Sequence, residues 1–168
     1  TESGAQDPTE CPFLLAAYGF DATYEAENAV IIGNAYIENN CATMSNGLYV
    51  KNLNGNSPNN SVTFEVYVAS TDDHELTVSY LTANPRSMGV EINGVQQILN
   101  VPSTGLWCYQ GGSPGDYSTI VSLNKGYNTI KFFTSPNLDK IKISPDFVVL
   151  PVELTTFSGQ YTNSGIEL

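Results

Sequence analysis

The clearest pattern in the chain is an alternation of apolar and polar residues over Ser61–Ser70. Successive side chains of a strand point to opposite faces, so this period of two predicts a strand with one buried face. Its apolar positions are Val62, Phe64, Val66 and Val68. Glu75–Leu81 repeats the pattern after the polar stretch Thr71–His74. The two segments are therefore predicted to form two neighbouring strands of a meander, joined by a turn at 71–74.

Further short strands follow in the second half of the chain. Asn93-Gly94 and Asn124-Lys125-Gly126 are turn sequences, because Asn and Gly accept the positive φ angles that tight hairpins need. The predicted hairpins around them pair 88–92 with 95–99 and 119–123 with 128–133. Leu48–Leu53 and Lys140–Ile143 complete the predicted set. At least eight short strands at this spacing indicate an all-β fold, an antiparallel β-sandwich of the jelly-roll type.

The same pattern divides the chain into three parts. Residues 1–20 are polar and acidic at the start and are predicted to be an N-terminal linker or edge segment. Residues 21–148 hold the predicted β-sandwich, and 149–168 are predicted to be a C-terminal linker. Within the sandwich, 29–60 is rich in Asn and Gly and is long for a connection, which is typical of binding loops on a rigid scaffold.

A pair of glutamates marks the predicted first strand, Tyr24–Asn28. Alternation places Glu25 and Glu27 on one face and the residues between and beside them on the other. Two like charges on one face repel each other unless a cation or water compensates. The pair is therefore either the solvated face of a strand or part of a calcium site, since calcium prefers carboxylate and carbonyl oxygens.

Composition and charge narrow the possible partners. The 168 residues contain six Lys and Arg against seventeen Asp and Glu, giving a net charge of −11. Nucleic acid and anionic membranes are poor partners for such a surface, because affinity for them depends on clustered positive charge. We expect no membrane insertion, since no apolar run approaches the roughly 20 residues of a spanning helix. No signal-peptide pattern is present, so any export signal has been removed or lies upstream, and an acidic, polar surface is compatible with secretion.

Three cysteines, Cys11, Cys41 and Cys108, lack the paired spacing of zinc sites, and His74 is the sole imidazole. In an exported protein one disulfide with a third, unpaired thiol is expected. Cys11 with Cys41 is the favoured pair, although spacing does not determine the pairing.

The motifs, taken in order, resemble carbohydrate-binding modules of families 6 and 35, with family 35 the closer. The resemblance spans Tyr24 to Ile143 and rests on six motifs: 24–28 (Tyr-Glu-Ala-Glu-Asn), 61–66 (Ser-Val-Thr-Phe-Glu-Val), 90–94 (Val-Glu-Ile-Asn-Gly), 103–107 (Ser-Thr-Gly-Leu-Trp), 123–132 (Leu-Asn-Lys-Gly-Tyr-Asn-Thr-Ile-Lys-Phe) and 137–141 (Asn-Leu-Asp-Lys-Ile).

The resemblance implies a noncatalytic jelly-roll module that attaches a larger secreted enzyme, covalently linked to it, to a polysaccharide or oligosaccharide. It also implies a structural calcium ion held by Glu25, Glu27 and Asp139, which would join the first strand to the last and add to folding stability. The expected location is extracellular or on the cell surface, and the expected state is a monomer.

Sugar binding in these families uses loops at one end of the sandwich. An aromatic side chain stacks on the apolar face of a pyranose ring while amides and hydroxyls satisfy its hydroxyl groups. By resemblance, Trp107 holds the platform position and Asn137 the sugar-bonding amide. The alternatives are core packing for Trp107 and a turn role for Asn137 after Pro136.

One position departs from the family 6 pattern. Asn52 stands where a second aromatic side chain is common, so a two-sided aromatic site would need Tyr49 or Tyr109 as its second wall. Lys51 is either solvated or a contact for a uronic acid or sulfate group. The concave sheet face is another possible site in family 6, with candidate tyrosines at Tyr67, Tyr80 and Tyr117.

The tail sequence 150–159 (Leu-Pro-Val-Glu-Leu-Thr-Thr-Phe-Ser-Gly) resembles the stretch that precedes C-terminal sorting domains in secreted proteins of Bacteroidota. It implies a multidomain extracellular parent whose sorting domain is absent from this sequence.

Catalysis is the competing interpretation. Glycoside hydrolysis needs two carboxylates on opposite sides of the scissile bond, and neither Glu25 with Glu27 nor Asp72 with Asp73 has that placement. A polysaccharide lyase needs a base, and ten tyrosines leave that class open, but the sequence singles out none of them. A calcium-stabilised adhesion domain without a sugar ligand is the third class.

Overall fold

The computed structural model describes residues 21–53 and 59–145, together with the backbone of two short strands near the C-terminus. Apart from three 3-10 turns, the elements are strands. They are β1 (Ala22–Glu25), β2 (Val30–Ile32), β3 (Tyr36–Glu38), β4 (Tyr49–Lys51), β5 (Ser61–Val68), β6 (Asp72–Leu81), β7 (Arg86–Ile92), β8 (Val95–Val101), β9 (Gly115–Leu123), β10 (Gly126–Phe133), β11 (Asn137–Pro145), β12 (Gln160–Thr162) and β13 (Gly165–Glu167).

Two antiparallel sheets face each other across one core. The first sheet has the order β3-β4-β11-β6-β9, with β1 also paired to β11, and the second has the order β2-β5-β10-β7-β8. The predicted all-β fold, an antiparallel β-sandwich of the jelly-roll type, is confirmed. Among the described residues no helix is long and apolar enough to span a membrane.

The core forms because the inward positions of both sheets are apolar. On β5, Val62, Phe64 and Val66 are at most 2% exposed. Phe64 meets Phe132 of β10 edge to face, with ring centroids 5.9 Å apart. On β6, Leu76 and Val78 are completely buried from the opposite side. Alternation in the sequence therefore predicted the buried faces of these strands correctly.

Strand pairing differs from the prediction at two places. The β7–β8 hairpin is confirmed, and its turn residues Asn93 and Gly94 have φ angles of 49° and 87°. The predicted meander of β5 and β6 is wrong, because β5 pairs with β2 and β10 while β6 lies in the other sheet. The predicted hairpin of β9 and β10 is wrong for the same reason: β9 pairs with β6. Both connections cross between sheets, as jelly-roll topology requires.

Several element boundaries also differ. β6 already begins at Asp72, so most of the predicted turn at 71–74 is strand. β2 and β3 lie within the segment predicted to be loop-like. In the segment predicted to be a C-terminal linker, β12 and β13 pair as a two-stranded sheet. Residues 1–20 lie outside the described part of the chain, so the predicted N-terminal segment stays a prediction.

A buried amide holds the turn between β9 and β10. Asn128 is 1% exposed. Its Nδ2 donates to the carbonyl oxygens of Asn124 (2.7 Å) and Gly126 (3.1 Å). Its Oδ1 accepts from the Asn124 backbone N–H (2.9 Å) and from Asn93 Nδ2 (2.8 Å). One side chain therefore fixes the crossing turn and connects it to the β7–β8 turn.

We expect Asn128→Ala to lower the free energy of unfolding by roughly 3 kcal/mol, because several polar groups lose their partners at a buried position. Asn100→Ala, at an exposed position with one side-chain hydrogen bond from Ser87 (3.0 Å), is the matched control and should cost about 0.5 kcal/mol or less. Urea denaturation measures both. Equal stability losses in the two variants would contradict the role given to Asn128.

Candidate functional site

A cleft of about 290 Å³ opens at one end of the sandwich. Its walls come from the segment before Cys41, from the ends of β4, β7 and β11, and from the loop between β8 and β9. The lining residues are Asn40, Tyr49, Lys51, Arg86, Trp107, Cys108, Tyr109, Pro136 and Asn137. The cleft therefore brings together five residues that the sequence predicted to bind a sugar: Tyr49, Lys51, Trp107, Tyr109 and Asn137.

The loop formed by residues 105–114, called the Trp107 loop below, folds around the carbonyl of Trp107. The Trp107 oxygen accepts hydrogen bonds from the backbone N–H of Gln110 (2.9 Å) and of Gly112 (3.0 Å). Gly111 follows the 3-10 turn Cys108–Gln110 with a φ of 84°, a conformation that glycine adopts without strain. A Cβ atom at Gly112 would lie 2.0 Å from the Leu106 oxygen, so only glycine fits there.

Trp107 has a packed side and a side that lines the cleft. It is partly buried against a small cluster that includes Met44, Tyr49 and Leu81, separate from the main core. The guanidinium carbon of Arg86 lies 5.4 Å from the centroid of its ring. Core packing and a cleft wall were alternatives from sequence, and the structure gives the indole ring both surroundings.

The other aromatic residues of the cleft differ in exposure. Tyr49 is 3% exposed, and its hydroxyl donates to Asn40 Oδ1 at 2.8 Å. Tyr109 is 82% exposed at the rim. A buried tyrosine bonded to a neighbour forms a fixed wall, whereas an exposed ring can close on a ligand at little cost in packing. Tyr109 is therefore the better candidate for the second aromatic contact.

Lys51, for which the sequence left either a solvated position or a contact with an anionic sugar open, is paired with a carboxylate. Its Nζ lies 2.7 Å from Glu38 Oε2 and 5.1 Å from the centroid of the Tyr36 ring. The hydrogen bond to Glu38 raises the pKa of Lys51, so the side chain keeps its charge. A ligand anion would have to compete with the Glu38 carboxylate for this ammonium group.

Four lining residues were not predicted to bind a sugar, and two of them, Asn40 and Arg86, have polar side chains that could contact one. Arg86 is the only arginine in the chain, and it begins β7 directly after Pro85. That rarity was the available indication in the sequence. Asn40 had none beyond its Asn-rich surroundings, because its place at the cleft depends on the pairing of Cys41 with a distant cysteine.

The remaining predicted contacts lie elsewhere. Asn52 has a φ of 64°, and its Nδ2 donates to the backbone oxygen of Asn34 (2.7 Å), so it lies outside the cleft lining. Of the tyrosines considered for a sheet face, Tyr80 is buried and bonds the Pro102 oxygen. Tyr67 packs on Tyr127, with ring centroids 5.3 Å apart, and Tyr117 packs against the main core. None of these tyrosines lines the cleft.

The glutamate pair is arranged differently from its prediction. β1 ends at Glu25, and Ala26–Asn28 is a 3-10 turn, so the two carboxylates do not share a strand face. They converge on one loop instead. Ser45 Oγ donates to Glu25 (2.9 Å) and Asn46 Nδ2 to Glu27 (3.3 Å). The backbone N–H of Ser45 donates to Asp139 at 2.8 Å.

The three carboxylates form an electrostatically crowded group, called the acidic cluster below: Glu25, Glu27 and Asp139. Burial raises the pKa of Asp139 to about 6, and the two glutamate charges add to this rise. One oxygen each of Glu25 and Glu27 is buried without a hydrogen-bond partner. Within the described residues, however, no three His, Cys, Asp or Glu side chains converge as a preformed metal centre.

The predicted Cys11–Cys41 disulfide is wrong. Cys41 is bonded to Cys108, 67 residues later, with the Cα atoms 5.6 Å apart. The physical reason is the fold, which brings the segment after β3 against the Trp107 loop. Cys11 lies outside the described residues.

Comparison with known proteins gives structural matches only. No protein-family profile matches the sequence, and no curated protein matches it. A family 35 carbohydrate-binding module from Clostridium thermocellum is 28% identical with a TM-score of 0.67, and the match covers 73% of this chain and 98% of that one. The family 35 module from Paenibacillus barcinonensis is 23% identical with a TM-score of 0.63, covering 73% and 98%.

A larger enzyme also contains this fold. The GH26-CBM35 β-(1,4)-mannanase of Podospora anserina matches with 23% identity and a TM-score of 0.66, covering 78% of this chain and 29% of the enzyme. The resemblance to family 35 that the six motifs indicate is thus confirmed by solved structures of that family.

The pKa of Asp139 predicts how stability depends on pH in calcium-free protein. Because the folded-state pKa of about 6 lies above the ordinary value of 3.8, the folded protein binds this proton more readily than the unfolded chain. The contribution of Asp139 to stability should therefore increase as the pH falls from 7 toward 4. Urea denaturation in EDTA should show that the free energy of unfolding of wild type increases relative to that of Asp139→Asn as the pH falls across this range. Parallel pH profiles for the two proteins would contradict the assignment.

Proposed function

We propose that this chain is a noncatalytic carbohydrate-binding module that attaches a secreted polysaccharide-degrading enzyme to its glycan. The single observation that carries the proposal is the cleft at the loop end, where Trp107 and Tyr109 lie beside amide groups. Support comes from the solved structures that the chain resembles, which include modules of family 35.

The cleft has the parts that sugar recognition uses. A pyranose ring presents an apolar face that stacks on an aromatic side chain, and a rim of hydroxyl groups that need hydrogen bonds. Trp107 offers the aromatic platform, held from behind by the small cluster. The amides of Asn40 and Asn137 and the ammonium group of Lys51 offer donors and acceptors around it. A uronic acid or sulfate contact at Lys51 is the finer proposal, in competition with Glu38.

The described lining does not support glycoside hydrolysis. Among the residues around the cleft, none carries a carboxyl or imidazole group, whereas hydrolysis needs two carboxylates flanking the bond. Glu25 and Glu27 belong to the acidic cluster. Asp73 accepts a hydrogen bond from Ser122 on the flank of β6 and β9. A lyase base at the cleft would have to be Tyr49 or Tyr109, the two tyrosines of its lining.

A multidomain secreted parent fits the proposal. Structures that share this fold include an enzyme with a family 35 module, so fusion to a catalytic domain is an established arrangement for the fold. The extracellular location and the Bacteroidota origin rest on the Leu150–Gly159 resemblance, which lies outside the described residues. We propose both as predictions, together with a monomeric state.

We further propose that calcium binds at the acidic cluster. Glu25, Glu27 and Asp139 would hold it, and the ion would neutralise their mutual repulsion. The two buried, unpartnered glutamate oxygens support the fit, because buried carboxylate oxygens normally have partners. Hard oxygen donors of this kind are what calcium prefers. Ser45 and Asn46 lie beside these carboxylates, so their side-chain oxygens would add ligands as the three carboxylates close on the ion.

Tyr109→Ala should reduce polysaccharide binding at least tenfold. The unfolding midpoint should stay unchanged, because the Tyr109 ring is exposed and adds little to the packing of the domain. Tyr127→Ala is the matched control: that ring is 65% exposed but lies on β10, away from the cleft. Trp107→Ala should abolish binding and also cost about 1 to 2 kcal/mol of stability, since the ring is partly buried.

Binding is measured as the loss of soluble protein from solution in the presence of insoluble mannan, galactan, xylan or pectin preparations. A glycan array extends the measurement to other sugars. Release of reducing ends or unsaturated products would favour the enzyme alternative. Failure of the wild type on every glycan would favour the adhesion alternative and reject the proposed function.

Removal of calcium should lower the thermal midpoint by about 5 °C or more, because an ion at 100 times its Kd adds about 2.7 kcal/mol to folding stability. Scanning calorimetry with EDTA, and with calcium added in excess, measures the difference. Glu25→Gln with Glu27→Gln should abolish the response, whereas Glu38→Gln should keep it. An identical midpoint in calcium and in EDTA would rule out the calcium site.

A further inference from the structure

We infer that the Cys41–Cys108 disulfide is a positioning element of the cleft: it fixes the Trp107 loop, and breaking it weakens glycan binding while the sandwich stays folded. This inference rests on the proposed function for its binding consequence. Its structural part, the placement of Trp107, stands independently.

Both half-cystines adjoin residues of the cleft. Cys108 follows Trp107 directly and itself lines the cleft, and Cys41 follows the lining residue Asn40. Cys41 is 1% exposed and belongs to the small cluster against which Trp107 packs. The bond therefore joins the two walls of the cleft from beneath.

The Trp107 loop is anchored at its ends but tied lightly between them. At one end, the backbone N–H of Thr104 donates to the Thr82 oxygen (2.8 Å). At the other, Gly115 pairs with Tyr80 in the sheet. Between these points, Thr43 Oγ1 donates to the Gly112 oxygen at 2.8 Å. The bonds to the Trp107 carbonyl are internal to the loop, so they shape it without fixing its position.

The set of side chains that packs against the Trp107 loop is small. The small cluster consists of Cys41, Met44, Tyr49 and Leu81, with Trp107 and Cys108 against it, and two of these six residues are the half-cystines themselves. The main core lies between the sheets and includes neither cysteine. Loss of the bond should therefore affect the small cluster and the cleft before it affects the sandwich.

The segment that contains Cys41 is itself held in place by hydrogen bonds. The Cys41 oxygen accepts the Met44 backbone N–H at 3.1 Å, and Ser45 is bonded to Glu25 and Asp139. The disulfide thus fastens the Trp107 loop to a segment that is itself held by β1 and β11. A covalent bond to a segment that is itself anchored restricts the loop more than a bond to an unanchored segment would.

The chain provides its own reporter, because Trp107 is its only tryptophan. The test compares wild type with the double variant Cys41→Ser/Cys108→Ser and with Cys11→Ser as the control. All three proteins are measured in the presence of calcium and without EDTA. Wild type is also reduced with dithiothreitol: the disulfide takes up two electrons and two protons to give two thiols, and the reagent closes to its cyclic disulfide. Trp107 emission wavelength, acrylamide quenching and far-ultraviolet circular dichroism are recorded.

We expect the double variant and the reduced wild type to show red-shifted Trp107 emission and at least twofold stronger acrylamide quenching. Their far-ultraviolet circular dichroism spectra should match that of the oxidised wild type. The affinity for the polysaccharides that wild type binds should fall at least tenfold. Cys11→Ser should match wild type in every measurement. If Trp107 emission and quenching stay the same without the bond, the positioning role is overturned. Global unfolding of the double variant would overturn it too, because the bond would then hold the whole domain.

Binding and spectroscopy separate the two claims. If oxidised wild type binds no glycan of the panel, the proposed function fails, and the spectroscopic comparison still decides whether the disulfide positions Trp107. If wild type binds and the double variant binds equally well despite altered Trp107 spectra, the inference is overturned while the proposed function stands.

Discussion

Carboxylate repulsion beneath a single loop is the constraint on which one end of this sandwich depends. Glu25 ends β1, Glu27 lies in the following 3-10 turn and Asp139 lies on β11. The first and last strands of the sandwich therefore bring negative charges to one place. The backbone and side chains of Ser45 and Asn46 satisfy part of this charge, which fixes the position of their loop. A fold that concentrates charge in this way needs a compensating cation or a proton.

That loop also determines the shape of the cleft. Four residues before Ser45, Cys41 carries the covalent link to the Trp107 loop, and the neighbouring Asn40 bonds Tyr49 at the cleft wall. The acidic cluster and the cleft are thus two sides of one short segment. Asn40 and Cys41, which contact the cleft, and Ser45 and Asn46, which bond the carboxylates, lie within seven consecutive residues.

The local sequence determines where most of the strands form, but it determines little about which strands pair with each other. Alternation over Ser61–Val68 predicts a strand correctly, because burial of one face forces a period of two. It does not tell whether the next strand joins the same sheet, so the meander with β6 was predicted wrongly. The roles predicted for Trp107 and Asn137 followed from family resemblance, and Tyr109 was one of two candidates for a second aromatic wall. The Cys41–Cys108 bond depends on contacts across 67 residues that no local pattern encodes.

The pairing of β1 with β11 has a consequence for any larger protein that contains this module. Ala22 lies opposite Ile143, so the chain enters and leaves the sandwich side by side. Asn137, at the cleft, is at the other end of β11, six residues before Ile143 and therefore roughly 20 Å away along the strand. Residues 22 and 143, where the chain enters and leaves the described sandwich, therefore lie at the end opposite the cleft.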